Sequence, residues 1–324
     1  MKNIFLLTIL FLSVLAACKD EEKKEKIYLL DQSNILALAV DGSNTLWVGT
    51  DEGLYRQAST GFNLIETGAD TLVTALAFDA DNNTLWVGTM DGLFRVKTGN
   101  TDQVERIEAA NLSSQAVLSI CLNPGADTWF GTLPGLTRTD SGEWQTQKFK
   151  KNLSGTISKL PFESYGVNSI GIFGEDYYFA TAGVRLYRTS GWNEAVDAFT
   201  GATQWESPYN GQAISDTMFV VFVDSQGRQW MGGTAGIQVH VGTDPKVDNS
   251  SYYDELVNPR VHCVAEGPGG EIWAGTEGGI SLFNGTDWSS LPVTLPDPFV
   301  QSMVYQSGSL VIGTSKGLVK FPLD

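Results

Sequence analysis

Three patterns of apolar and polar positions divide the 324-residue chain. The first is an apolar run, Ile4 to Ala17, that ends at Cys18. The second, Lys19 to Lys26, is charged throughout. From Ile27 onward, short apolar stretches alternate with turns rich in glycine and aspartate. Ile35–Val40 (ILALAV), Val73–Phe78 (VTALAF), Val117–Leu122 (VLSICL), Phe219–Val223 and Val261–Ala265 are too apolar for strands with one face in water, so burial on both faces is expected. Turn signals such as Asp41-Gly42 and Asp224-Ser225-Gln226-Gly227 lead from these stretches into tryptophan-bearing second strands.

The second strands repeat. TLWVGTDEGLYR starts at Thr45, TLWVGTMDGLFR at Thr84, DTWFGTLPGLTR at Asp127, YYFATAGVRLYR at Tyr177, RQWMGGTAGIQV at Arg228, EIWAGTEGGISLF at Glu271 and LVIGTSKGLVKF at Leu310. Aligning Thr50, Thr89, Thr132, Thr181, Thr234, Thr276 and Thr314 gives separations of 39, 43, 49, 53, 42 and 38 residues. A period of about 44 residues holds four short strands, which is the content of one propeller blade. The expected fold is therefore all-β: a seven-bladed β-propeller over residues 27–324, with the last blade closed by the N-terminal strand Ile27-Tyr28-Leu29-Leu30, because the C-terminal copy ends without a fourth strand. Closure would remove the exposed edge that an open array leaves.

Asp41, Gly42, Trp47, Gly49, Thr50, Gly53 and Leu54, with Trp86, Gly88, Thr89, Gly92 and Leu93 in the next copy, resemble the propeller repeat of bacterial two-component regulators. Trp129, Trp230 and Trp273 keep the aromatic position, whereas Tyr178 with Ala180, and Val311, depart from it. In that family such propellers form extracytoplasmic sensory domains ahead of a membrane helix and a kinase. Here no apolar run of 18 residues follows the first one, so the resemblance implies a binding or interaction module.

The N-terminal pattern supplies an address. A 14-residue apolar run is short for a membrane span and suits a secretion signal. Leu15-Ala16-Ala17-Cys18 resembles a bacterial lipobox, which implies a signal peptide over 1–17, lipidation of Cys18 and a charged tether over 18–26. Several acyl chains would anchor the protein firmly to a membrane. Lys19-Asp20-Glu21-Glu22 resembles the export signal of Bacteroidetes surface lipoproteins, implying the outer membrane, facing the cell surface or else the periplasm.

Charge and composition then narrow the function. Lys plus Arg total 21 against 37 Asp plus Glu, a net charge of −16, which leaves little surplus cation for phosphates and argues against nucleic acid. Two histidines and three cysteines make a tetrahedral zinc site a poor expectation, and no twelve-residue calcium loop is present, so no cofactor and no metal site is assigned. The recurring tryptophans read as packing between blades, Gly49 and Gly88 as close blade contacts, and Cys121 and Cys263 as buried free thiols. Candidate ligand-binding residues fall in the longer interblade segments and at the innermost strands: Tyr165, Trp205, Tyr209, Tyr252, Asp254, Glu255 and His262. Aromatic rings beside carboxylates suit a sugar or a protein side chain, although the same rings could simply cover longer blade edges. The expected function is a non-catalytic, membrane-anchored monomer that binds an outer-membrane or extracellular protein, or a glycan. The alternative is a polysaccharide lyase or hydrolase working at the central funnel.

Overall fold

The computed structural model describes residues 26–27, 30–68, 72–99, 102–123, 127–140, 142–147, 150–151, 157–158, 166–174, 176–181, 187–193, 198–204, 217–241 and 249–323. These residues are all-β apart from one 3-10 turn, Ala109–Asn111. Innermost strands Ile35–Val40, Val73–Asp79, Val117–Leu122, Val167–Phe173, Met218–Val223 and Val261–Glu266 each open an antiparallel meander of four consecutive strands. The meanders radiate as blades, with each innermost strand against that of the next.

The expectation of a seven-bladed propeller is corrected. Six blades are continuous four-stranded units. The C-terminal strands Val300–Gln306, Ser309–Thr314 and Gly317–Pro322 do not make a seventh unit of that kind, because their sheet is composite. Among the described residues its fourth place is held by Lys26–Ile27, opposite Lys320 and Val319. Of the expected closing strand Ile27–Leu30, Ile27 holds this place, and Tyr28 and Leu29 lie outside the described residues. Leu30 is buried at the seam with Ile35, Val311 and Leu318, and Ser33 N donates to its carbonyl at 3.2 Å. The composite sheet lies between the sixth and first blades and completes the ring.

A recurring glycine in the second strands sets the blade spacing. A Cβ on Gly49 would stand 2.5 Å from Val73 Cγ1, on Gly88 2.9 Å from Val117 Cγ1, on Gly232 2.7 Å from Val261 Cγ1, and on Gly275 2.7 Å from Val300 Cγ1. In every case the obstructing valine opens the innermost strand of the following sheet. Gly313 carries the pattern across the seam, where a Cβ would sit 2.5 Å from Ile35 Cγ2. In the fourth blade Ala180 takes this place and packs with Met218 of the fifth.

The neighbouring threonine holds the turn to the third strand. Thr50, Thr89, Thr276 and Thr314 donate their hydroxyls to the carbonyls of Gly53, Gly92, Gly279 and Gly317 at 2.8–3.1 Å. The same hydroxyls accept the amide two residues on. Those four glycines have φ between 121° and 149°, which L-residues avoid. In the fifth blade the strand register puts Gly233, not Thr234, opposite Met218, so the sequence alignment there is off by one residue.

Trp47, Trp129, Trp230 and Trp273 are fully buried between blades. Cys121 and Cys263 are free, and burial pushes both thiols up to about 12. With Cys18 replaced by alanine, Ellman's reagent at pH near 8 is expected to label neither thiol in the native protein and both after denaturation. Rapid native labelling would contradict their burial.

Candidate functional site

The strand order brings three kinds of segment to one face of the ring: the loops entering the innermost strands, the first residues of those strands, and the turns between second and third strands. At each innermost strand the register shifts after the first residue, leaving one bulged residue at this entrance. The bulged positions are Leu36, Thr74, Leu118, Asn168, Phe219, His262 and Gln301. A backbone bond recurs beside them: Asp51 N to Asn34 O, Met90 N to Leu72 O, Leu133 N to Ala116 O, Glu277 N to Arg260 O and Ser315 N to Phe299 O. The scaffold is constant while the side chains on it vary.

That variation divides the entrance. On the second and third blades the positions are apolar apart from Thr74, with Met90 42% and Leu133 43% exposed. On the sixth blade they are charged. Arg260 Nε donates to Glu277 Oε1 at 2.8 Å, and His262 Nε2 lies 3.0 Å from the same oxygen. The imidazole stacks on Phe219 (centroids 4.4 Å apart, planes at 13°) and meets Phe299 at 4.6 Å. These groups come together because Val261 pairs with Thr276, so the residues flanking that pair become neighbours across the two strands. Further round, Gln301 donates to Asn34 Oδ1, and Asn34 N donates to Asp51 Oδ1 at 3.1 Å.

Burial pushes the His262 pKa down, and although the Glu277 hydrogen bond opposes this, the net direction is downward. Burial alone would raise Glu277, but hydrogen bonds from Arg260 and His262 outweigh it and its pKa is lowered. Both groups therefore bind fewer protons folded than unfolded. Their contribution to stability is present above the unfolded histidine and carboxylate values and declines as pH falls through them. The urea midpoint is expected to hold above about pH 7, to fall below roughly pH 6.5 as His262 protonates, and to fall further below roughly pH 4.5 as Glu277 protonates. Glu277→Gln should flatten the lower part of that decline. An unchanged profile in the variant would show that the cluster is not coupled to folding.

Of the residues named from sequence, His262 belongs to this cluster. Tyr252 lies on the outer strand of the fifth blade, packed against Phe283 at 5.9 Å and Trp288 at 5.6 Å between blades. Asp254 and Glu255 are exposed on the loop leading to His262, and Glu255 Oε2 accepts Tyr253 N at 3.0 Å. Tyr165, Trp205, Tyr209 and Cys18 lie outside the described residues. Sequence reasoning missed Arg260, Glu277, Phe219 and Phe299. The signal available was the one position after each aligned threonine, which changes from copy to copy while its neighbours repeat. Among the described residues, no group of three or more His, Cys, Asp or Glu side chains is placed to hold a metal ion. No helix among them is long and apolar enough to cross a membrane.

No family model matches the chain, and no curated protein matches it. Solved structures do. The extracellular domain of a hybrid two-component system from B. thetaiotaomicron superposes with a TM-score of 0.71 at 19% identity, over 90% of this chain and 39% of that one. A second such domain from the same organism gives 0.69 at 18%, over 92% and 40%. This chain therefore spans about two fifths of the length of those sensor structures. Virginiamycin B lyase from Staphylococcus aureus gives 0.68 at 13% identity, over 93% and 99%. At these identities the likeness is one of fold: this chain is an all-β propeller of the kind found in the extracellular part of two-component sensors.

Proposed function

We propose that this protein is a non-catalytic recognition module, lipid-anchored through Cys18 to the outer membrane, which binds a protein partner through the entrance of its propeller. The observation that carries the reading is the division of the entrance rim. Exposed Met90 and Leu133 offer an apolar arc, and Arg260, Glu277 and His262 offer a charged one across the ring. A surface with an apolar part and a separate charged part suits an extended partner surface better than a small closed ligand. A photo-crosslinking amino acid at position 133 in living cells should give a discrete protein adduct that Arg260→Glu abolishes. The same residue at position 64, on an outer strand, should give none. Equal adducts from both positions would contradict the reading. For the anchor, Cys18→Ala should move the protein from the membrane to the soluble fraction, and external protease should remove the wild-type protein from intact cells if it faces outward.

A second reading has one specific support, the histidine–carboxylate pair at the entrance of a fold shared with streptogramin lyases. A solved lyase is described in complex with quinupristin, so quinupristin is the direct probe. Mass spectrometry after incubation should show the compound unchanged. A product that disappears in His262→Ala would make this protein an enzyme.

A further inference from the structure

A second site lies toward the face opposite the entrance, among the turns between first and second strands and between third and fourth strands. Its origin is a pairing that recurs from blade to blade and is left incomplete in one. In the first blade the buried carboxylate of Asp41 accepts the Trp47 indole N–H at 2.9 Å, and the Arg56 guanidinium lies 5.3 Å from the centre of that ring. In the third, Asp127 stands two residues before Trp129. Arg138, opposite Trp129 in the strand register, pairs with Asp127 and lies 5.9 Å from the ring. In the fifth, Asp224 pairs with Arg228, which lies 5.2 Å from the Trp230 ring. Each of these tryptophans has a carboxylate and a guanidinium beside it, both supplied by its own blade.

The sixth blade supplies only the carboxylate. Gly267 stands six residues before Trp273, where the first and fifth blades have aspartate. Leu282 takes the register place opposite Trp273 that holds arginine in the first and third blades. Glu271 stands two residues before Trp273, as Asp127 does before Trp129. Its carboxyl group turns back over Gly267, where a Cβ would collide with Oε1, and Oε2 accepts Gly269 N at 3.0 Å. Among the described residues, no lysine, arginine or histidine pairs with Glu271. This carboxylate lines a groove of about 540 Å³ whose apolar lining is Trp273, Leu282, Leu291 and Leu323. Arg228 also reaches the groove, but its charge is met by Asp224 and its Nη2 donates to Gly270 O at 3.5 Å. The unmet charge is therefore negative, and it stands beside apolar surface. A guanidinium on an aliphatic stem matches both features, because the stem packs on leucine while the planar head pairs with a carboxylate. We propose that this groove takes the arginine side chain of a partner protein, which supplies in trans the guanidinium that the first, third and fifth blades supply internally. Trp273 is only 1% exposed, so the guanidinium meets Glu271 rather than the indole face, and its stem lies on Leu282 and Leu323. This site is separate from the entrance and does not depend on what binds there.

The test uses the full chain, 15N-labelled, titrated with an acetylated and amidated leucine–arginine–leucine peptide. The comparison is the same peptide with citrulline, the neutral isostere, in place of arginine. The arginine peptide should shift the Gly269 amide signal, which reports on the Glu271 carboxylate it donates to. The citrulline peptide should bind about tenfold more weakly, the effect of losing one charge-assisted pair. Glu271→Gln keeps the size of the side chain and should weaken binding of the arginine peptide by a similar factor. Leu282→Arg restores the internal pair, so it should abolish peptide binding with the melting temperature held or raised, which separates a filled groove from an unfolded one. No Gly269 shift with the arginine peptide at millimolar concentration would overturn the assignment. Equal binding of the citrulline peptide would also do so, as would binding undiminished by Glu271→Gln or surviving Leu282→Arg.

Discussion

Replacing Gly313 by valine is expected to destabilise the protein by about 3 kcal/mol, the upper part of the range for overpacking a close contact. The penalty is steric. The backbone at Gly313 carries no positive φ, but a Cβ there would stand 2.5 Å from Ile35 Cγ2 and would also meet the Ser302 hydroxyl. Ile35 is fully buried and begins the innermost strand of the first blade, so it has nowhere to retreat. The added methyl groups must push the composite sheet away from the first blade, at the one seam where the ring is not continuous in sequence. Gly99→Val is the control, because nothing lies within 4 Å of a Cβ at that position, and it should fall within about 0.5 kcal/mol of wild type. Urea denaturation measures both. Equal midpoints for the two variants would remove the case for interlocking glycines.

Asp224→Ala is expected to cost about 3 kcal/mol or more, because it strands the buried Trp230 indole N–H together with the partly buried Arg228 and the amides of its own turn. The carboxylate accepts Trp230 Nε1 at 2.8 Å, Gln226 N at 3.0 Å, Arg228 N at 2.8 Å and the Arg228 guanidinium. Only 5% of Asp224 is exposed, so water cannot readily take its place. Arg228 also sits over the Trp230 ring at 5.2 Å, so the charge left unpaired remains against an aromatic face. Asp79→Ala provides the contrast. Its carboxylate serves only its own half-exposed turn, and a loss of about 1 kcal/mol or less is expected there. If Asp79→Ala proved the more damaging of the two, the account of these turns would fail.

The repeats were legible because their parts are fixed in offset. Tryptophan, glycine and threonine fall at the same steps along each second strand, since each meets the same neighbour in the ring. Where the sequence reading slipped, a neighbouring residue of the same type misled it. Thr234 follows Gly233 and drew the alignment one place forward, and only pairing with Met218 identifies Gly233 as the equivalent. At the seam, Leu30 was expected in the closing strand, whereas it is buried beside Val311 and Leu318 and the paired residues are Lys26–Ile27.

The candidate sites were less readable for a topological reason. Arg260 and Glu277 are 17 residues apart, and nothing in either segment names the other. They meet because Val261 pairs with Thr276. Phe219 belongs to the preceding blade, and its stacking on His262 depends on the packing between blades. In the second blade Asp79 stands seven residues before Trp86, not six, and the buried indole N–H has no hydrogen-bond partner among the described residues. One added residue there reads as harmless loop variation until the hydrogen bonds of the first and fifth blades are set beside it.

Closure of the ring by the composite sheet is the claim on which both the entrance face and the blade spacing depend. Hydrogen exchange, comparing wild type with Gly313→Val, tests it most directly. In the wild type, amides of Ser309–Thr314 should be protected as strongly as those of Val261–Glu266. In the variant, protection should fall together in Ser309–Thr314 and in Ile35–Val40, two segments at opposite ends of the chain. Loss confined to the C-terminal strands, with Ile35–Val40 unchanged, would show that the first blade does not rest on them and would contradict the closed ring.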